Sequence, residues 1–274
     1  MGAVILVASL MPQAIILAGG LGTRLRAVIR DIPKPMAPIH GRPFIEYQLE
    51  YLRNQGVRDV VLALGYQWQV IREHLGDSYK GLSLTYSVER RPLGTGGGIL
   101  LAMRTLEGEA REGVVSCHAN KSRPILVLNG DTWFPLSLSA LLNFHRTKHS
   151  AVTVGVSQQQ ASQRYATIAL SGQGQIDCFS TGIKHKPNDK VFVNGGVYLF
   201  SKQLLTKWQN KVGEELSLEH DLFEGAVAEN RCYGFLSKAP FLDIGIPEAY
   251  YQAQYFLPDK RHPQALCSSE YGVS

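Results

Sequence analysis

Apolar positions along the chain fall into short runs that alternate between strand-like and helix-like spacing. Gln13 to Ala18 is an apolar run ending at Gly19-Gly20, the pattern of a strand buried on both faces that enters a glycine turn. Ile45, Leu49 and Leu52 fall on one helical face, Gly56 stops that helix, and Val57 to Leu64 is β-branched and apolar, so a helix and a second strand are expected. The alternation continues with a helix over Val70 to Leu75, a strand over Leu82 to Val88 and a helix over Ile99 to Leu106. A buried strand over Pro124 to Leu128 then ends at Asn129-Gly130-Asp131. Strand and helix in this regular order predict an α/β fold with a doubly wound, mainly parallel, Rossmann-like sheet.

Beyond residue 150 the texture changes. Strand-like runs at Ala151 to Val156, Tyr165 to Leu170, Gln175 to Phe179 and Val191 to Phe200 lie close together, followed by helical patterns over Leu204 to Trp208 and Leu218 to Ala228. They predict a mixed-sheet lobe that covers the carboxyl edge of the first sheet and receives a second ligand. Glu107 to Arg123 is polar and without periodicity, as a surface loop would be. The expected organisation is an N-terminal extension over residues 1–12, one domain over 13–257 and a C-terminal tail over 258–274. A chain of 274 residues, 45% hydrophobic, can bury such a core without covalent staples.

Charge and cysteine content narrow the classes. The net charge is +5, but Lys and Arg are scattered and no aromatic-basic stripe appears, so a nucleic-acid partner is not expected. A modest positive excess equally suits a pocket for phosphorylated ligands. The apolar stretch Gly2 to Leu10 lacks a basic leader and is too short to span a bilayer, so no membrane association is expected. Cys117, Cys178, Cys232 and Cys267 form no CxxC pair, which argues against a zinc ribbon or disulfide framework and for a reducing cytoplasm.

The strongest chemical signal is Gly19-Gly20-Leu21-Gly22-Thr23-Arg24 after the first strand, followed by Pro33-Lys34-Pro35. Glycines let backbone N–H groups turn toward an anion at a helix start. No GK[ST] follows, so this is not a Walker A loop, and Leu25 stands where a dinucleotide fingerprint needs its third glycine. Arg24 can fork across two phosphate oxygens, and Lys34 between its prolines can act as a point charge. Asp131 ends a predicted buried strand, where α/β sheets place their ligands, and Asp243 in Phe241-Leu242-Asp243-Ile244-Gly245 also follows an apolar run. Two such carboxylates could share a Mg²⁺ ion. The competing readings are helix caps, Asp131 for a helix starting near Leu136 and Asp243 before Pro247.

These motifs, with PLGTGGG (Pro92 to Gly98), VNGGVY (Val193 to Tyr198) and LDIG (Leu242 to Gly245), resemble in kind and order those of the sugar-1-phosphate nucleotidyltransferase family. Within it, DIPKPMAPI, GYQW, PLGTGGG and LNGDTWF are most similar to the branch that guanylylates D-glycero-D-manno-heptose 1-phosphate. The resemblance implies Mg²⁺-dependent transfer of a nucleoside monophosphate, GMP from GTP, to a sugar 1-phosphate. By the same resemblance Arg24, Lys34, Asp131 and Asp243 would be catalytic, the two aspartates holding Mg²⁺. Leu17, Ala18, Gly19, Gly20, Gly22, Thr23, Glu89, Gly94 and Thr95 would bind the nucleotide. Tyr165, Ala166, Lys186, Asn194, Gly195 and Glu219 would bind the sugar phosphate. Two positions depart from the family pattern: Ala166 stands in place of the usual Gly, and His185 precedes Lys186-Pro187 in place of the usual Glu. Glu219 is a candidate replacement for that carboxylate, with an exposed helical acid as the plainer reading.

Other readings stay open at this point. They are the same reaction with mannose 1-phosphate, uridylyl or thymidylyl transfer to another sugar phosphate, and a non-catalytic nucleotide-sugar-binding regulatory subunit. The sequence also leaves a homo-oligomer open. His145 and His149 are spaced i, i+4 but lack an HExxH frame, so a solvated helix face is expected there. Trp68, Trp133 and Trp208 are expected to be packing residues.

Overall fold

A computed structural model of the chain describes residues 11–20, 25, 28–29, 32–106, 123–162, 165–180, 186 and 189–259. Its central strand is β1 (Gln13–Ala18), where Ile15 packs into the core on one side of the sheet and Ala14 and Ile16 into the core on the other. A 3₁₀ turn over Lys34–Met36 leads to the small hairpin of β2 (Pro38–Ile39) and β3 (Arg42–Pro43). Helix α1 (Phe44–Asn54) buries Ile45, Leu49 and Leu52, and Gly56 follows it with φ of 87°, a left-handed turn that glycine adopts without strain. β4 (Asp59–Leu64), α2 (Trp68–Leu75), β5 (Ser78–Tyr79), β6 (Leu82–Val88), α3 (Gly94–Leu106) and β7 (Ile125–Asn129) continue the alternation. The parallel strands pair in the order β6-β4-β1-β7, so the chain order reverses at β1. Ligands of open α/β sheets bind at the carboxyl ends of strands at such a reversal.

After β8 (Thr132–Trp133) and α4 (Leu138–Thr147) come β9 (Val152–Gln160), β10 (Thr167–Leu170), β11 (Ile176–Ser180) and β12 (Lys190–Phe200). β12 pairs antiparallel with β7, so the second half extends the first sheet rather than forming a separate one, and ten strands share it among the described residues. α5 (Lys202–Lys207), a π-helical turn over Leu218–Phe223, α6 (Glu224–Ala228) and β13 (Cys232–Leu236) follow, β13 lying parallel to β9. β14 (Leu242–Asp243) pairs with β8, and α7 (Pro247–Phe256) closes a third apolar cluster with Phe44 and Tyr47. Among the described residues no helix is long and apolar enough to cross a membrane.

Two expectations need correction. His145 is not solvated: it is buried on α4, its Nδ1 2.8 Å from the Thr153 hydroxyl, while His149 lies beyond the helix end with φ of 49°. The predicted helix Ile99 to Leu106 starts five residues earlier, because its glycines accommodate the backbone of the 214–216 segment. A Cβ on Gly94 or Gly97 would stand 2.4 Å from the carbonyl oxygen of Leu216 or Glu214 respectively. The tryptophans do pack against the cores. Most of the polar loop, residues 107–122, and residues 1–10 and 260–274 lie outside the described residues. Met11 touches the core beside Gly56, and Asp259 sits 3.5 Å from His40.

Candidate active site

A cavity of about 680 Å³ opens at the carboxyl ends of β1, β4, β6 and β7. Leu17, Ala18, Gly19, Gly20, Lys34, Glu89, Gly94, Thr95 and Asp131 line it, joined by Tyr66, Arg90, Arg91 and Gly245. Strand ends supply most of this wall because a parallel strand must turn there, and small residues let the turns crowd together. Gly130 shows the constraint: a Cβ on it would lie 2.5 Å from the Leu17 carbonyl oxygen.

At one end of the cavity the charged groups converge. The Lys34 ammonium contacts the Asp131 carboxylate, with the lysine side chain only 11% exposed. β8 and β14 pair Thr132 with Asp243, and Ile244 donates its N–H to the Asp131 carbonyl at 2.9 Å, which sets the two aspartates side by side. A Cβ on Gly245 would be 2.7 Å from Asp243 Oδ1 and 3.0 Å from Lys34 Nζ, so the lysine that contacts Asp131 shares that glycine with Asp243. Neither aspartate is the cap of the following helix. Ser137 caps α4, and Asp243 Oδ1 accepts the Gly245 N–H at 2.7 Å while α7 has no side-chain cap. Among the described residues no group of three His, Cys, Asp or Glu is placed to hold a metal ion. Two carboxylate donors suit Mg²⁺, which completes its shell with phosphate oxygens and water.

At the other end Glu89 leaves β6 and turns inward. Its Oε2 accepts the Leu93 N–H at 3.0 Å, and its Oε1 lies where a Cβ on Gly98 would be 2.7 Å away and one on Gly19 3.3 Å. Burial raises the pKa of this carboxyl, with the Leu93 N–H partly offsetting it. Behind it, the first turn of α3 is occupied by protein rather than open to an anion. Gly96 donates its N–H to the Leu216 carbonyl at 2.9 Å, and Leu218 donates to the Thr95 hydroxyl at 3.0 Å.

The remaining expected residues divide. Tyr165 meets Phe241 edge-on at 5.4 Å, and Gly195 lies against Phe134, where a Cβ would come within 2.4 Å of the ring; Phe134 and Phe241 themselves are in contact. Ala166 is half-buried next to Tyr165. Tyr198 is fully buried, with the side chains of Asn194 and Asn129 near its hydroxyl. Burial raises its pKa, and the carboxylates of Glu219, itself half-buried, and Asp131 add to the rise. Lys186 is exposed and does not line the cavity. Gly22, Thr23, Arg24 and His185 lie outside the described residues. Sequence reasoning did not single out Gln48, Tyr66 or Tyr198. For Gln48 the available signal was a polar side chain on the apolar face that Ile45, Leu49 and Leu52 define.

The description "Nucleotidyl transferase" belongs to a family model that matches residues 13–260. The chain belongs to that family. This nucleotidyl transferase is 37% identical over 239 residues to the D-glycero-alpha-D-manno-heptose 1-phosphate guanylyltransferase of Campylobacter jejuni, spanning 87% of this chain and 97% of that protein. To the enzyme of the same name from Aneurinibacillus thermoaerophilus it is 36% identical over 242 residues, 88% of this chain and 96% of the other. The crystal structure of HddC from Yersinia pseudotuberculosis complexed with GMP-PN superposes with a TM-score of 0.71 at 29% identity, covering 90% of this chain and 99% of that one. Nucleotidyl transferases of this family generally depend on a divalent metal ion.

Proposed function

We propose that this chain transfers GMP from GTP to a sugar 1-phosphate, with D-glycero-α-D-manno-heptose 1-phosphate as acceptor, Mg²⁺ as cofactor and the cytoplasm as its compartment. The observation that carries this reading is Lys34 in contact with Asp131 and close to the Gly245 turn that Asp243 holds, in a cavity that Glu89 also lines. The resemblance to two heptose 1-phosphate guanylyltransferases over nearly their whole length supports the choice of base and sugar.

Both substrates are anions, so the chemistry needs positioning and charge more than a nucleophile from the protein. A phosphate oxygen of the sugar phosphate attacks the α-phosphorus of GTP, one P–O bond forms, and the bond to pyrophosphate breaks opposite it. The attacking oxygen carries no proton, and a general base is unnecessary. Lys34 neutralises charge at the α-phosphate or on the departing pyrophosphate, and Arg24 serves the β- and γ-phosphates. Asp131 and Asp243 would hold Mg²⁺, which when bound stabilises charge building up on the phosphoryl oxygens. Glu89 accepts the N1–H and N2 amino donors of guanine. Tyr165, Asn194, Gly195 and Glu219 shape the sugar side, and Lys186 meets the sugar phosphate.

Pyrophosphate release measured across GTP, UTP and dTTP, each with heptose 1-phosphate and mannose 1-phosphate, tests the reading. The greatest efficiency is expected with GTP and heptose 1-phosphate. Asp131→Asn should lower turnover by at least about a hundredfold with the fold intact. No turnover with any pair would favour a binding protein, and near-normal turnover of Asp131→Asn would remove the aspartate from the mechanism.

A further inference from the structure

Gln48 sits on α1 with 1% of its surface exposed, between the apolar neighbours Ile45, Leu49 and Leu52. Its side-chain Nε2 donates to the Asn129 carbonyl at 2.7 Å and to the Thr132 carbonyl at 2.9 Å. Both partners can only accept, so the amide must point its nitrogen toward them, and both N–H groups are used. The amide oxygen has no hydrogen-bond partner among the described residues although it is buried. A leucine or methionine would fill this volume without stranding that oxygen. What the glutamine supplies is a pair of donors to carbonyls on either side of Gly130-Asp131.

We infer that Gln48 is a positioning residue for the transfer proposed above: its amide pins the turn between β7 and β8 to α1 and thereby fixes where Asp131 points. The other restraints on that turn come from different directions. Gly130 donates to the Leu17 carbonyl at 2.8 Å, Ile244 donates to the Asp131 carbonyl at 2.9 Å, and the Thr132 hydroxyl reaches Asp131 Oδ1 at 3.2 Å. β1 and β14 thus hold the middle of the turn, and Gln48 holds both of its ends. Without Gln48 the buried Thr132 carbonyl and the half-buried Asn129 carbonyl lose this donor, and the turn relieves them by rotating, which swings the Asp131 carboxylate away from Lys34. The inference rests on the proposed role of Asp131, and its test includes arms that do not need turnover.

Gln48→Met keeps the apolar volume and removes both donors; Gln48→Asn keeps the donors on a stem too short to reach both carbonyls. In the full-length protein, hydrogen exchange at the Gly130 and Ile244 amides should accelerate by about tenfold or more, the scale of one lost hydrogen bond, while amides between β4 and β6 keep their wild-type rates. Mn²⁺ affinity, read by electron paramagnetic resonance with a non-hydrolysable GTP analogue present, should fall by a similar factor. Turnover should drop while KM for GTP stays within about twofold. If Gln48→Met does not fold, Gln48→Asn carries the same measurements. A uniform acceleration of exchange across the sheet, or unchanged exchange at Gly130 and Ile244 with unchanged Mn²⁺ affinity, overturns the inference. A wild type that shows the exchange and Mn²⁺ differences from its variants but no turnover would instead refute the proposed reaction and leave the positioning role standing.

Discussion

In the proposed reaction Glu89 is the residue that reads the nucleotide base. A carboxylate can take the two adjacent donors of guanine at once, whereas uracil and thymine present one donor between two carbonyls that a carboxylate repels. Hydrogen bonds to a charged group contribute about 1.5 to 3 kcal/mol, which is roughly ten- to a hundredfold in discrimination. Glu89→Gln preserves the acceptor for the Leu93 N–H, so the turn at the end of β6 should survive. The expected outcome is a loss of kcat/KM with GTP in that range and a relative gain with UTP or dTTP; an unchanged ratio among the three nucleotides removes Glu89 from base reading. Because burial raises the carboxyl pKa, GTP efficiency in the wild type should begin to fall at a higher pH than an exposed glutamate would dictate, and the variant should lose that dependence. At this scale the residues that the sequence marked where a charged side chain meets a turn, Lys34, Glu89 and Asp131, are ones that the fold brings to the cavity wall. The sequence was silent where a side chain acts through distant backbone, because nothing local to Gln48 announces carbonyls 81 and 84 residues away.

Helix α4 shows how an element can hide a titrating group. His145 turns inward onto Thr153 of β9, and burial, reinforced by the charges of Arg146 and Arg231, lowers its pKa from 6.5 to about 4. Below pH 6.5 the unfolded chain takes up a proton that the folded chain refuses, so stability present above that pH is lost progressively as pH falls toward 4 and changes no further below it. The loss is bounded by about 1.4 kcal/mol per pH unit over that window. Urea midpoints measured from pH 7 to 4.5 should therefore fall more steeply for the wild type than for His145→Gln, and equal slopes would contradict a buried neutral histidine. The periodic elements were legible in the sequence because a face or a whole strand is apolar. α3 was half-missed, since three consecutive glycines read locally as a break and only the approach of Glu214 and Leu216 makes them acceptable in a helix. β13 escaped because Cys232 to Leu236 interleaves Tyr and Gly, and its pairing with β9 is what recruits it.

At the scale of the whole molecule, the described parts of the two halves of the chain share a core. One apolar cluster joins Ile15, Val61 and Ile99 from the first half to Val152, Tyr198 and Phe223 from the second. Unfolding should then be a single event: tryptophan fluorescence with Trp208→Phe, which leaves Trp68 and Trp133 as reporters, should share its denaturant midpoint with the far-ultraviolet signal of the entire chain. Two separated midpoints would show that the halves melt independently. The doubly wound half was readable from its alternating runs, but the sequence pattern alone did not reveal that the later strands join the same sheet, because pairing partners are not written in a strand's own residues. That joining has a consequence for distance. β12 carries Asn194 near its middle, opposite Val156 of β9, and pairs Val197 with Leu128 of β7 three residues later. Between them the strand bulges at Gly196, whose φ is 70°, so the step from Asn194 to Tyr198 along β12 matches only the step from Val156 to Val154 along β9. The offset of Asn194 from the first sheet is therefore held by the ladders of one shared sheet, as a bracket riveted on both sides would hold it.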